Sequence, residues 1–98
     1  MMLRPKSRKN TEEAEIIGLN ALGFLASDGE RLQRFMDLSG LDVAAIRAGA
    51  SSPAFLGGIL DHLLSDESLL LIFAEEQQMR PERIAQLRRT LPGASVDF

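Results

Sequence analysis

The chain predicts an all-α fold, a compact single-domain bundle of five or six short helices. Three observations lead there. Helix-start signals recur at short intervals: Asn10-x-x-Glu13, Ser27-x-x-Glu30, Leu41-Asp42, Ser52-Pro53, Ser65-Asp66-Glu67 and Arg80-Pro81. Each supplies an oxygen, an acid or a proline where the first N–H groups of a helix lack partners. Between these signals apolar residues return with the 3.6-residue period of an amphipathic helix, and Gly40, Gly49 and Pro92-Gly93 end the periodic runs.

Residues 1–9 mix proline with Arg4, Lys6, Arg8 and Lys9 and lack apolar period, so they are expected as a flexible basic arm. The helical domain is expected over 10–93. Helix 1 should start at the Asn10 capping box and run to about Ala26, with Ala14, Ile17, Gly18, Ala21, Leu22, Phe24 and Leu25 on one broad face. Ile16 and Leu19 point away from that face. Gly18 and Ala21 let another backbone approach closely. The Ser27 capping box opens a helix striped by Leu32, Phe35 and Met36, which Gly40 closes in a left-handed conformation. Asp42 then caps a short helix from about Val43 to Ala48, with Leu41 stapled to Ile46.

Ser52 caps the fourth helix and Pro53 takes its first position, where a missing N–H loses nothing. Phe55, Leu56, Ile59, Leu60 and Leu63 form its apolar arc, opposite Ala54, Gly57, Gly58 and Asp61. Each mid-helix glycine costs about 1 kcal/mol relative to alanine. Two in succession therefore mark either a tight internal crossing, the preferred reading, or a small-residue docking surface. Ser65 should cap the fifth helix, with Asp66 and Glu67 in its first turn. Leu69–Ala74 could form a buried strand, but Leu, Ala and the following Glu75-Glu76-Gln77-Gln78 favour helix. Being apolar nearly all round, this helix is expected at the centre of the core with helices 1 and 4 against it, or shared with another subunit. Pro81 starts the last helix, with Ile84, Leu87 and Leu91 in a stripe and Arg88 and Arg89 near its negative end. Residues 94–98 are expected as a loose tail.

Composition narrows function chiefly by exclusion. The 98 residues carry a net charge of -3, 45% hydrophobic and 26% charged residues, values of an ordinary folded domain. Without cysteine there is no disulfide framework, thiolate nucleophile or cysteine-ligated metal. The basic N-terminus is followed by no apolar signal region, and the longest strongly apolar run, Leu69–Ala74, is far shorter than the ~20 residues of a membrane-spanning helix. A soluble, cytoplasmic protein is expected, with no membrane association.

Catalytic chemistry is sparse. His62 is the sole histidine; its only ionisable helical neighbour is Asp66 at i+4, which is more simply a first-turn acid, so His62 reads as a structural residue at the core boundary. The acid pairs Glu12-Glu13, Asp66-Glu67 and Glu75-Glu76 are adjacent in sequence and so do not face each other on a helix. No glycine-rich phosphate loop occurs. Residues 34–64 superficially read as a helix-turn-helix, yet no Lys or Arg lies between Arg47 and Arg80, where a DNA reader would need them. No catalytic, cofactor-binding or metal residues are assigned.

Ser39-Gly40-Leu41-Asp42, Ile46-Arg47, the segment Pro53-Ala54-Phe55-Leu56-Gly57-Gly58-Ile59-Leu60-Asp61 with the following Asp66-Glu67, and Pro92-Gly93 together resemble the bacterial domain-of-unknown-function 3572 family. The resemblance covers about residues 11–93. The chain has Val43 where the family is expected to carry proline after the Leu-Asp pair, a modest difference at a helix start. What the resemblance implies is an intracellular bacterial helical protein; it brings no catalytic residues with it.

The expected function is a non-enzymatic protein-interaction or regulatory module, with an unidentified protein partner or self-association. Candidate contact residues are Ile16, Leu19, Gly57 and Gly58. The alternative is a nucleic-acid-associated regulator whose basic patch comprises Arg4, Lys6, Arg8, Lys9, Arg88 and Arg89, making weak, salt-sensitive contacts. An enzyme would require carboxylates and Arg34 or Arg47 to converge in one cleft.

Overall fold

Capping chemistry divides residues 5–93, the part of the chain that the computed structural model describes (side chains from Lys9 onward), into six helices. They are α1 (Pro5–Ala26), α2 (Gly29–Ser39), α3 (Val43–Gly49), α4 (Pro53–Leu64), α5 (Glu67–Gln77) and α6 (Pro81–Arg88), with no strand among the described residues. The fold is an all-α single domain.

Two starts lie one residue later than the capping boxes predict, for one reason. At Ser27-Asp28 the carboxylate, not the hydroxyl, caps α2: Asp28 accepts from the N–H groups of Glu30 and Arg31 at 3.0 and 3.2 Å. The Ser27 hydroxyl turns back and donates to the carbonyl of Phe24 at the end of α1. Ser65-Asp66 repeats the arrangement, with Asp66 accepting from Leu69 and Ser65 donating to the carbonyl of His62. Each dipeptide thus ends one helix and begins the next. Asp42 and Ser52 cap α3 and α4 as predicted. Gly40 closes α2 at φ 77°, the left-handed conformation expected of it.

α1 departs further, beginning at Pro5 rather than after Asn10. Of the arm expected at 1–9, residues 1–4 lie outside the described residues and Pro5–Lys9 are helical; the tail at 94–98 also lies outside. Proline suits a first helical turn. Asn10 and Glu13 are not needed as caps; they accept hydrogen bonds from Nη2 of Arg83 in α6, at 3.2 and 2.9 Å.

The central helix is α4, not α5 as the apolar run Leu69–Ala74 led one to expect. α4 buries Leu56, Gly57, Ile59, Leu60 and Leu63 and is packed by α1, α5 and α6. α1 crosses it at Gly18, where an added methyl group would stand 2.8 Å from Cβ of Leu56. α5 is covered on one side only: Phe73 and Ala74 are buried, with Phe73 on Phe24 at 5.2 Å between ring centroids, while Leu71 and Ile72 face solvent. α2 and α3 lie at the edge, each burying a single residue, Phe35 and Ile46. α2 is further held by Arg31, whose guanidinium carbon lies 4.3 Å above the Phe24 ring.

Candidate functional site

The outer face of α1 leaves two large apolar side chains open to solvent, as α5 does with Leu71 and Ile72. Ile16 and Leu19 are 58% and 49% exposed, on the side of α1 turned away from Ala14, Ile17, Ala21 and Leu25. With Glu12, Gly23 and Ala26, all exposed, they follow spacings of four, three, four and three residues, which put all five on one helical stripe. Nothing lies within 4 Å of a methyl group added at Gly23. Along one flank of this stripe runs an apolar groove of about 240 Å³, lined by Leu22 and Ala26 of α1, Leu32 of α2 and Val43, Ile46, Arg47 and Ala50 of α3. Val43 is half exposed and Arg47 exposed, so the groove opens to solvent. A shallower hollow near Leu71, Glu75 and Arg80 lies on α5 and the turn into α6.

The two glycines of α4 have different surroundings. Gly58 is exposed, and a methyl group added there would touch nothing within 4 Å. Gly57 is buried beneath the guanidinium of Arg88, which would lie 2.6 Å from an added methyl through Nη1. Arg88 passes over that glycine to Asp61, one helical turn on, and makes a bidentate pair with Nε at 2.7 Å and Nη2 at 2.9 Å from the carboxylate oxygens. Its Nη1 donates to the carbonyls of Leu91 and Pro92, both at 3.1 Å. Only 5% exposed, Arg88 therefore does not belong to a basic surface patch. Its charge is neutralised inside the fold, and Gly57 is the seat that makes room for it rather than a docking surface. Of the other patch candidates, Lys9 and Arg89 are exposed, whereas Arg4 and the side chains of Lys6 and Arg8 lie outside the described residues.

His62 stands at the boundary between α4 and α2, with the Phe35 ring edge-on at 5.0 Å between centroids. Its Nε2 is buried and has no hydrogen-bond partner. Burial holds its pKa below 6.5, with Arg34 adding to the effect and Asp66 opposing it. Asp66 is engaged with the N–H of Leu69. Among the described residues no three His, Asp or Glu side chains gather where a metal ion could sit. Among the described residues no single helix is long and apolar enough to cross a membrane.

Among known families, one whose members are described as proteins of unknown function (DUF3572) matches residues 11–94. The chain belongs to the DUF3572 family. No curated protein and no solved structure gives a significant match. Pro53–Asp61, one of the segments that carry the sequence resemblance, is most of the central helix of this DUF3572 domain, and it holds both Gly57 and Asp61, the seat and the carboxylate partner of Arg88.

Sequence reasoning about the DUF3572 chain finds Ile16 and Leu19 but passes over Gly23, Ala26 and the groove with Arg47. The spacing that places Gly23 and Ala26 on the stripe is present in the sequence, but two such small residues add little hydrophobic weight. The groove carries no linear signal, because its walls come from three helices.

Proposed function

We propose that this DUF3572 domain is a protein-interaction module that uses the outer face of α1 and its flanking groove as the contact surface. The observation that carries this reading is the exposed stripe itself. Ile16 and Leu19 stand adjacent and half exposed on the longest helix, beside a groove whose wall is apolar apart from Arg47. Isolated exposed apolar residues are ordinary on a protein surface; a contiguous apolar face with a groove beside it marks a place where another polypeptide can bury area. A helix laid along such a face would be read through anchors at helical spacing. The domain would act by binding rather than by chemistry: the buried imidazole nitrogen has no hydrogen-bond partner, and no three metal-ligating side chains gather among the described residues.

The test is capture of partners from a bacterial lysate by the intact protein, with and without nuclease. It is compared with Ile16→Asp/Leu19→Asp and with Leu71→Asp as a surface control. Stoichiometric, nuclease-resistant capture that the α1 variant loses and the α5 variant keeps supports the proposal. Capture that disappears with nuclease, or that ignores the α1 substitutions, refutes it and favours the basic residues as the contact.

A further inference from the structure

We propose that the α1 face pairs with a second copy of itself, antiparallel, about a two-fold axis near Leu19 and Asn20. This rests on the reading of that face as the contact surface and names its occupant. The face is complementary to itself in both shape and charge when reversed.

Shape comes first. Reversal about a point between residues 19 and 20 sets Ile16 of one copy opposite Gly23 of the other, and Leu19 near the axis. Ile16 is the most exposed apolar side chain on α1, and Gly23 is a notch with open space above it. A large side chain therefore meets a small one twice, by symmetry, as an isologous interface requires. Such close approach is what a glycine on a helix face permits.

Charge points the same way. Glu15, Leu19, Leu22 and Ala26 follow spacings of four, three and four residues, so Glu15 lies on the groove flank of α1, toward its N-terminal half. Arg47 lines the groove beside Leu22 and Ala26, toward the C-terminal half of the same flank. An axis perpendicular to α1 and lying in the interface reverses the helix direction but keeps each flank facing the same flank of the partner. Residue 15 then falls opposite the level of residue 24, between Leu22 and Ala26, which line the groove together with Arg47. Glu15 of each copy thus meets Arg47 of the other, with Glu12 nearby. A parallel pairing, about an axis along α1, would instead set the groove flank against the partner's opposite flank and leave Glu15 and Arg47 on different sides of the seam.

The stripe from Glu12 to Ala26 is roughly 21 Å long at 1.5 Å per residue, one helix wide. That is less than the ~800 Å² per partner of a standard stable interface, so the association is weak and depends on concentration.

Sedimentation equilibrium of the full chain from about 10 µM to about 1 mM, a range suited to small interfaces, tests the arrangement. Far-UV circular dichroism verifies that each variant is folded. The wild type is expected to dimerise, and Glu15→Arg or Arg47→Glu alone should raise the dissociation constant about tenfold or more by setting like charges together. The combined Glu15→Arg/Arg47→Glu chain should return to within about threefold of wild type, because the exchanged charges again face each other. A wild type that stays monomeric throughout overturns the proposal, and so does a dimer indifferent to the single reversals or not restored by the exchange. A monomer that still captures a different protein through Ile16 and Leu19 overturns self-pairing while leaving the interaction module in place.

Discussion

The two neighbouring glycines of α4 should respond to alanine with opposite signs. Alanine gains about 1 kcal/mol over glycine in a helix interior. At Gly58 an added methyl group meets nothing within 4 Å, so Gly58→Ala should stabilise the domain by about that amount. At Gly57 the same gain is opposed by a contact of 2.6 Å with Nη1 of Arg88 and 2.8 Å with its Cζ. The guanidinium must move, and the pair it makes with Asp61 is lost or stretched. Asp61 is 56% exposed and re-solvates readily, so each of the two charge-assisted bonds is assigned about 1 to 1.5 kcal/mol, at or below the lower end of their usual range. Loss of the contacts to the carbonyls of Leu91 and Pro92 adds about 1 kcal/mol. The net effect of Gly57→Ala is a loss of about 2 to 3 kcal/mol. For a domain of this size Tm should fall by roughly 8 to 24 °C, whereas Gly58→Ala should raise it by roughly 4 to 8 °C. With no tryptophan or tyrosine in the chain, urea and thermal unfolding are followed by far-UV circular dichroism. In an Arg88→Ala background the obstacle is gone and Gly57→Ala should become stabilising, a sign reversal that isolates the coupling. If Gly57→Ala stabilises the wild type as Gly58→Ala does, the assignment of Gly57 as the seat of Arg88 is refuted.

Gly18→Ala sets a methyl group 2.8 Å from Cβ of Leu56 and 3.4 Å from its carbonyl oxygen at the crossing of α1 and α4. Overpacking should outweigh the helical gain and cost about 1 to 2 kcal/mol, read as a lower urea midpoint; an unchanged or higher midpoint contradicts the crossing. His62 gives a pH dependence. Its pKa in the folded state lies below 6.5, so between that lowered value and 6.5 the unfolded chain binds a proton that the folded chain does not. Stability should fall as pH drops below about 6.5 and level off below the folded-state pKa. The difference in urea midpoint between wild type and His62→Phe should shift against the wild type over that interval; a difference constant from pH 8 to pH 5 rules out the buried neutral imidazole.

Helix number and order are legible in the sequence because caps and terminators act over three or four residues, within reach of local reading. The one-residue shifts at Ser27-Asp28 and Ser65-Asp66 show where that reading stops. Both residues can cap, and the choice depends on the carbonyl that the serine finds behind it. The early start of α1 has the same character, since Asn10 and Glu13 are drawn to Arg83, seventy residues or more away. Arg88 reads locally as a residue favoured at a helix C-terminus, yet its partner Asp61 and its seat Gly57 lie on another helix. α5 misleads in the opposite way, since its apolar residues outnumber the neighbours available to cover them. At the candidate site Ile16 and Leu19 are legible as residues off the core face, but the groove beside them exists only once α1, α2 and α3 have come together.

That groove has walls of unequal firmness. Its α1 side belongs to the helix packed across the central α4, whereas its α3 side is a seven-residue helix with Ile46 as its one buried residue. A wall so lightly anchored should open by local fluctuation, its amides exchanging before those of α4. The width of the groove is therefore set less by the core than by whatever occupies it. An occupant that draws α3 inward spends part of its binding energy on ordering that helix, and its presence would be registered as slowed exchange at Val43–Gly49 rather than as any change in the core.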